Sequence, residues 1–175
     1  MKQVRMKRLI ILVYISLLSI TLTGQVKFSV PLLTDLQKYQ NAAIQWNASW
    51  LIQISYAKSL GKSVGEVAGF VGDQVKVTFN TAGGFNRFVQ GMLYTMVSLV
   101  PYGSVEIIQQ TDNEIVYKVT GLYPDLREGG SLFNVTWDDY LKFLETVYSK
   151  TADYIGAKYS QKDTDEGLLV TIMKK

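Results

Sequence analysis

Apolar residues recur every three or four positions along the first third of the chain, which is the period of an amphipathic helix. Thr34 and Gln37 have the spacing of a capping box, so the first helix is predicted to begin there. Gly61 is placed to end it, because glycine adopts the left-handed conformation of a helix C-terminus without steric cost. The predicted buried stripe of this helix consists of Leu36, Tyr39, Ala43, Trp46, Trp50, Ile54 and Ala57.

A second capping box, Ser63 with Glu66, predicts a helix that continues to about Val75. One face of this helix carries three glycines, each of which costs up to about 1 kcal/mol relative to alanine. They are Gly65, Gly69 and Gly72. We therefore expect a neighbouring helix to approach this face closely. The segment 74–79 alternates between apolar and polar residues, so its assignment as strand or helix stays open.

A third helix is predicted after Gly83-Gly84, ending at Pro101 and Gly103. The residues from Met92 to Val100 are apolar on nearly every side, which is typical of a helix that is buried all round. Its apolar stripe is Phe85, Phe88, Val89, Met92, Met96, Leu99 and Val100.

The second half of the chain changes to a period of two. The strands "SVEIIQQT" and "EIVYKVTG" flank Asp112-Asn113, which predicts a β-hairpin, and "AKYSQKDT" and "LLVTIMKK" predict another around 163–167. Between them, an irregular loop (121–134) precedes a helix capped by Thr136 with Asp139. The inward faces of the two hairpins are predicted to be Ile115, Tyr117, Val119, Leu168, Val170 and Ile172.

The order of these elements predicts an α+β fold. About three N-terminal helices precede a hairpin, a helix and a second hairpin. Two hairpins can pair into a four-stranded antiparallel sheet whose one face is covered by helices. Neither a repeat nor a linker divides the segment 34–175, so we expect one domain there.

The N-terminus has the pattern of a secretory signal: four basic residues within Met1–Arg8, then a predominantly apolar run of 14 residues from Leu9 to Leu22. We expect cleavage after Gly24, a short tether over 25–33, and a periplasmic or extracellular location in a bacterium. The alternative is an uncleaved helix that anchors the chain to a membrane. Cleavage would leave 14 basic against 15 acidic residues, a net charge of −1, which argues against nucleic-acid binding.

The chain has neither histidine nor cysteine. This composition excludes disulfides, Cys nucleophiles, His-based triads and the usual zinc ligand sets, and we predict no cofactor and no metal site. Gly61-Lys62-Ser63 matches the end of a P-loop, but Tyr56 stands where that motif requires glycine, and a helix precedes it. The motif is therefore interpreted as a joint between two helices.

Two acidic groups have structural interpretations. Asp138-Asp139 stands in the first turn of a helix, where acidic side chains cap the free N–H groups and complement the helix dipole. Asp163, Asp165 and Glu166 lack the spacing of an EF-hand and are predicted to form a solvated hairpin turn.

Eight residues are candidates for ligand binding. Asn86, Gln90 and Tyr94 form a polar strip on the third helix, whose spacing suits either the wall of a cavity or the solvent-facing edge of the helix. The tryptophans could line an aromatic pocket, and the charged loop 121–134 is of the kind that often carries functional residues. The candidates are Trp46, Trp50, Asn86, Arg87, Gln90, Tyr94, Tyr123 and Arg127.

Three functions are compatible with these features. The leading hypothesis is an exported, non-enzymatic domain that binds a small, partly apolar molecule. The second is a hydrolase that uses a carboxylate or tyrosine base. The third is a structural or partner-binding module of the cell envelope that docks through an exposed apolar helix face.

Overall fold

A computed structural model describes residues 32–79 and 83–175 of this chain. The chain divides into two units, Met1–Leu33 and Thr34–Lys175, and the fold described here is that of the second unit. The predicted signal (1–24) and nearly all of the predicted tether (25–33) lie outside the described residues.

Three helices open the fold: α1 (Asp35–Ser59), α2 (Val64–Val75) and α3 (Gly84–Leu99). A 3₁₀ turn, Lys76–Thr78, extends α2, so the segment 74–79 is helical rather than a strand. The capping boxes predicted before α1 and α2 are both present. Gly61 has a φ of 75°, as a glycine that ends a helix should, which confirms the helix–helix joint.

The chain then forms the hairpin β1 (Ser104–Gln110) and β2 (Glu114–Thr120). A short helix, α4 (Pro124–Gly129), and a two-stranded hairpin, β3 (Ser131–Leu132) with β4 (Val135–Thr136), follow it. The segment 121–134, predicted as an irregular loop, therefore contains ordered elements. The described residues form five helices, one more than the four that the sequence pattern predicts.

Local residues explain these extra elements. Pro124 occupies the first turn of α4, where its missing N–H leaves no hydrogen bond unmade. Phe133 and Asn134 both have positive φ, as a tight two-residue hairpin turn requires. Helix α4 and the β3–β4 hairpin are too short to show the periodicity from which helices and strands are predicted, so the sequence pattern did not reveal them.

The last three elements are α5 (Trp137–Tyr154), β5 (Ala157–Thr164) and β6 (Gly167–Lys174). The strands form one antiparallel sheet in the order β1-β2-β6-β5. The predicted α+β class with a four-stranded antiparallel sheet is confirmed. The predicted inward residues of β2 and β6 are all buried in the main core, together with residues of α1, α2, α3 and α5.

Helix α1 buries a face that only partly coincides with the predicted one, since Ala43 and Ile54 are the two stripe residues that are fully buried. Its buried residues are Ala43, Asn47, Leu51 and Ile54, whereas the predicted Leu36 and Trp46 are exposed. The helix carries apolar residues on more than one side, so periodicity alone does not distinguish the core face. The choice depends on the other elements that pack against the helix.

Helix α3 is buried along one side only. Met92, Met96 and Leu99 are in the core, but Tyr94 and Val97 are exposed, which corrects the prediction of burial all round. The outward side stays open because α1, α2 and the sheet lie on the core side of this short bundle.

The glycine face of α2 lies against α5, as predicted. A Cβ atom on Gly72 would lie 3.3 Å from Cα of Val147 and 3.0 Å from Cδ of Lys150. Gly65 and Gly69 have more room, since added Cβ atoms would first meet lysine Cε atoms at 3.8 Å. Of the three glycines, Gly72 therefore lies closest to the backbone of α5.

Candidate functional site

Three of the candidate ligand-binding residues line one pocket on the outer side of α3. Arg87, Gln90 and Tyr94 contribute polar groups to a solvent-open depression of about 300 Å³. This depression, called the α3 pocket below, is lined by Thr78, Phe79, Arg87, Phe88, Gln90, Gly91, Tyr94 and Ile155.

The aromatic wall of the α3 pocket depends on a glycine. A Cβ atom on Gly91 would lie 3.2 Å from Cε1 of Phe79, so the missing side chain lets that ring lie against α3. Phe79 also packs edge-to-face on buried Phe88, with 5.5 Å between ring centroids. The 3₁₀ turn after α2 thereby places Phe79 in contact with α3.

Arg87 also lies against a glycine. A Cβ atom on Gly83 would come within 2.6 Å of Cβ of Arg87 and would overlap its Cδ. The aliphatic stem of Arg87 therefore occupies space that only glycine at position 83 leaves open. Gly83 thus helps to hold the arginine at the rim of the α3 pocket.

Asn86, the fourth residue of the polar strip, does not line the α3 pocket. It contributes with Gln90 to a depression of about 230 Å³ between α3 and β1, whose other walls include Val89 and Ile107. The predicted strip is therefore divided between two neighbouring depressions, with Gln90 shared by both.

The tryptophan candidates lie on α1 and line neither of these depressions. Trp50 is half-buried and packs edge-to-face on Phe143, with centroids 5.0 Å apart. Trp46 is 56% exposed and lies tilted against Trp50 at 6.4 Å. Trp50 is thus part of the packing around the core, whereas most of Trp46 faces solvent.

An apolar groove lies between α1 and α2 and was not predicted from the sequence. It measures about 490 Å³, and Tyr56 and Phe70 on it are each 66% exposed. Tyr56 lies outside the predicted apolar stripe of α1, and no apolar stripe is predicted for α2, which carries Phe70. An aromatic residue outside a stripe was the only feature of the sequence that pointed to this groove. This α1–α2 groove is lined by Gln53, Tyr56, Ala57, Lys62, Glu66, Val67, Phe70 and Val71.

The last two candidates serve in packing. Tyr123 is 7% exposed and lies edge-on to Tyr140 at 6.0 Å, with a φ of 41°. Arg127 pairs with Asp163 at 3.1 Å and lies over the ring of Trp137 at 5.6 Å. These contacts join α4 to α5 and β5, and neither residue lines the α3 pocket.

Asp163 is exposed, as predicted, but it belongs to strand β5 and not to the turn. It accepts hydrogen bonds from Arg127 and from the indole Nε1 of Trp137, the latter at 2.8 Å. The turn itself consists of Asp165 and Glu166, and Glu166 pairs with Lys118 at 3.1 Å. Within 32–79 and 83–175, no group of three or more acidic side chains is placed to hold a metal ion.

Asp139 has the capping role predicted for it. Its Oδ2 accepts the backbone N–H of Thr136 at 3.1 Å and lies 2.7 Å from Nζ of Lys58. Partial burial raises the pKa of Asp139, but the hydrogen bonds from Lys58 and Thr136 outweigh it, so the net pKa lies below the ordinary value.

Two further carboxyl groups have lowered pKa values. Hydrogen bonds from the backbone and hydroxyl of Ser63 lower the pKa of Glu66. Hydrogen bonds from Lys150 and Lys76 lower the pKa of Asp73 to about 2. Both carboxyl groups are thus held in the charged form, and a lowered pKa makes a carboxylate a weaker base.

A buried polar link joins three helices in the core. Asn47 of α1 donates to the carbonyls of Ala43 and Leu99 and accepts the hydroxyl of Tyr140 at 2.6 Å. The amide thereby bonds the carbonyl of Leu99, the last residue of α3, and the phenol of α5 at once. In the sequence, Asn47 lies four residues from both Ala43 and Leu51, and this spacing places it on the same helix face as these two apolar residues.

Besides Tyr123, four tyrosines are buried in the core, and burial raises the pKa of each. They are Tyr117, Tyr140, Tyr148 and Tyr159. Among the described residues, the hydroxyls of Tyr117 and Tyr148 have no hydrogen-bond partner. These phenols belong to the packing of the sheet against α5 and open onto neither the α3 pocket nor the α1–α2 groove.

Within the described ranges, every helix is too short or too polar to cross a bilayer. No model of a known protein family matches this chain, and neither a characterised protein nor a solved structure matches it.

Proposed function

We propose that this protein binds a small, partly apolar molecule in the α3 pocket and does not catalyse a reaction. The observation that carries the proposal is the meeting of Arg87, Gln90 and Tyr94 with an aromatic and aliphatic wall in one depression. Small-molecule sites combine mostly apolar walls with a few polar groups that orient the ligand. The volume of about 300 Å³ is at the lower end of the range for such sites.

The hydrolase alternative gains less support. A carboxylate general base works best with a raised pKa, whereas the pKa values of Glu66, Asp73 and Asp139 are lowered. A tyrosine base has to lose its proton near neutral pH, whereas burial keeps the core tyrosines protonated. We also propose that the protein is exported and that residues 1–24 direct this export.

The α1–α2 groove favours a second candidate function, docking of a partner protein. Tyr56 and Phe70 extend into solvent on either side of an open apolar trough, and Trp46 is exposed on the same helix as Tyr56. Protruding aromatic residues around a shallow trough suit a macromolecular surface better than a small molecule. The two candidate functions therefore use different surfaces and can be tested separately.

Native mass spectrometry of the protein, purified gently from its own host, tests the first proposal. We expect an added mass that is lost on denaturation. Gln90→Trp fills the α3 pocket and should abolish this mass, while the control Gln45→Trp, at an exposed position of α1, should retain it. A clean unliganded protein, or an added mass that survives Gln90→Trp, would overturn the proposal.

The same preparation tests the docking candidate through Phe70→Asp. A dimer or a co-purifying protein should be lost in this variant and kept in Ile108→Asp, which places the same charge on an exposed residue of the sheet. A monomer without a partner in the wild type contradicts docking at the α1–α2 groove.

A further inference from the structure

We infer that the molecule bound in the α3 pocket is a small monocarboxylate with an apolar body. This inference rests on the proposed function of that pocket and adds the chemical class of the ligand. It depends on the charge, position and surroundings of Arg87.

Arg87 is the one charged side chain among the eight residues that line the α3 pocket. The polar lining residues beside it, Thr78, Gln90 and Tyr94, are neutral. Arg87 is exposed, so water screens its charge, and the preference for a ligand of opposite charge comes from hydrogen bonds to the guanidinium. The planar guanidinium also suits a carboxylate, since it can donate two parallel hydrogen bonds to its oxygens.

The position of Arg87 limits where this charge can lie. Its stem lies against Gly83, so the guanidinium reaches the pocket from the N-terminal end of α3. Gln90 follows Arg87 by three residues and therefore lies beside it on the helix surface. The carboxylate should accordingly lie at the end of the pocket formed by Arg87 and Gln90.

The apolar side of the pocket receives the rest of the ligand. Phe79 lies against Gly91, buried Phe88 supports it, and Ile155 contributes an aliphatic side chain from the C-terminus of α5. These side chains present no charge to the ligand. An apolar chain or ring gains free energy here by leaving water, at roughly 25 cal/mol per Å² of buried apolar surface.

The size and the single cation exclude larger anionic ligands. A depression of about 300 Å³ is too small to enclose a nucleotide or a phospholipid. Phosphate sites usually combine several donors or cations, whereas one guanidinium matches one carboxylate. A short-chain or arylalkyl monocarboxylate fits both limits.

Calorimetric titration of the full chain with matched probes tests the inference. The probes are hexanoate and phenylacetate, and their neutral counterparts are hexanamide and phenylacetamide. We expect the carboxylates to bind at least about 10-fold more tightly than the amides, as for hydrogen bonds to charged groups. Arg87→Gln should abolish this preference, while the exposed control Lys162→Gln, on β5, should preserve it.

The outcomes separate the inference from the proposed function. Equal binding of acids and amides, unchanged by Arg87→Gln but blocked by Gln90→Trp, overturns the monocarboxylate and supports the pocket. A preference for acids that persists in Arg87→Gln also overturns the inference. If none of the probes binds the wild type, the inference fails, and a natural ligand seen by mass spectrometry still decides the proposed function.

Discussion

At the scale of single residues, Asn47 shows how a polar group can be accommodated in an apolar core. Its amide nitrogen donates to the carbonyls of Ala43 and Leu99, and its oxygen accepts the hydroxyl of Tyr140. A buried amide without such partners costs roughly 1–3 kcal/mol in proteins. The link therefore joins α1, α3 and α5 within the core.

Tyr140→Phe tests this link. The substitution removes the donor to Asn47 and leaves a buried oxygen unsatisfied, so we expect a loss of about 1–3 kcal/mol in the free energy of unfolding. Urea unfolding followed by circular dichroism measures it. The control Tyr154→Phe removes an exposed hydroxyl and should change stability by less than about 0.5 kcal/mol. Equal losses in the two variants would show that the buried link is not stabilising.

Asp73 is expected to make stability depend on acid pH. Hydrogen bonds from Lys150 and Lys76, both at 2.7 Å, lower its pKa from 3.8 to about 2. A carboxyl group with a lowered folded-state pKa contributes stability that is complete above the unfolded value of 3.8. This contribution is lost as the pH falls through about 2.

Urea midpoints at pH 7, 4 and 2 test this expectation. Asp73→Asn should lower the midpoint at pH 7 and weaken its fall between pH 4 and pH 2. The control Asp165→Asn changes a carboxylate in an exposed turn and should keep the wild-type profile. An unchanged profile in Asp73→Asn would contradict the assigned role of the two lysine contacts.

At the scale of secondary-structure elements, the packing of α2 on α5 separates glycines that the sequence presents as equivalent. Gly65, Gly69 and Gly72 share one face of α2, but only Gly72 lies against the backbone of the partner helix. The other two face the flexible ends of lysine side chains. Which glycine is required is thus a property of the helix pair and not of α2 alone.

Opposite effects are expected at two of these glycines. Gly72→Ala would press a Cβ atom against Cα of Val147 at 3.3 Å and should destabilise the fold by about 1–3 kcal/mol. Gly69→Ala has ordinary contact distances and should stabilise α2 by about 0.5–1 kcal/mol, because alanine has the higher helix propensity. Thermal unfolding compares them, and a shift of both melting temperatures in the same direction would refute the packing described here.

At the scale of the whole molecule, the buried phenols couple folding to alkaline pH. Burial raises the pKa of Tyr117, Tyr140, Tyr148 and Tyr159 above 10.0, the ordinary value for tyrosine. The unfolded chain therefore releases protons that the folded chain retains, and stability should fall as the pH rises above about 10.

An alkaline titration checks this coupling. We expect the buried group to ionise only as circular dichroism reports unfolding. Tyr148→Phe should move the unfolding transition to higher pH, because it removes one buried ionisable group whose hydroxyl has no partner among the described residues. Ionisation of every tyrosine in the folded protein would contradict the burial described here.

Local sequence patterns determined the longer helices and strands of this protein. The three capping boxes, Gly61 as the end of α1, and the alternation of β2 and β6 act within about four residues or within one strand, so they can be read without knowing the fold. These patterns sufficed to predict the α+β class and the four-stranded sheet.

The tertiary structure decided which faces are buried and which residues meet. Trp46 on α1 is exposed while Asn47 beside it is buried, because the core face depends on contacts with α3 and α5. The α3 pocket likewise needs Phe79 and Ile155, which are far apart in the chain and have no shared pattern. Periodicity describes one element at a time, whereas a binding site is formed by side chains that different elements bring together.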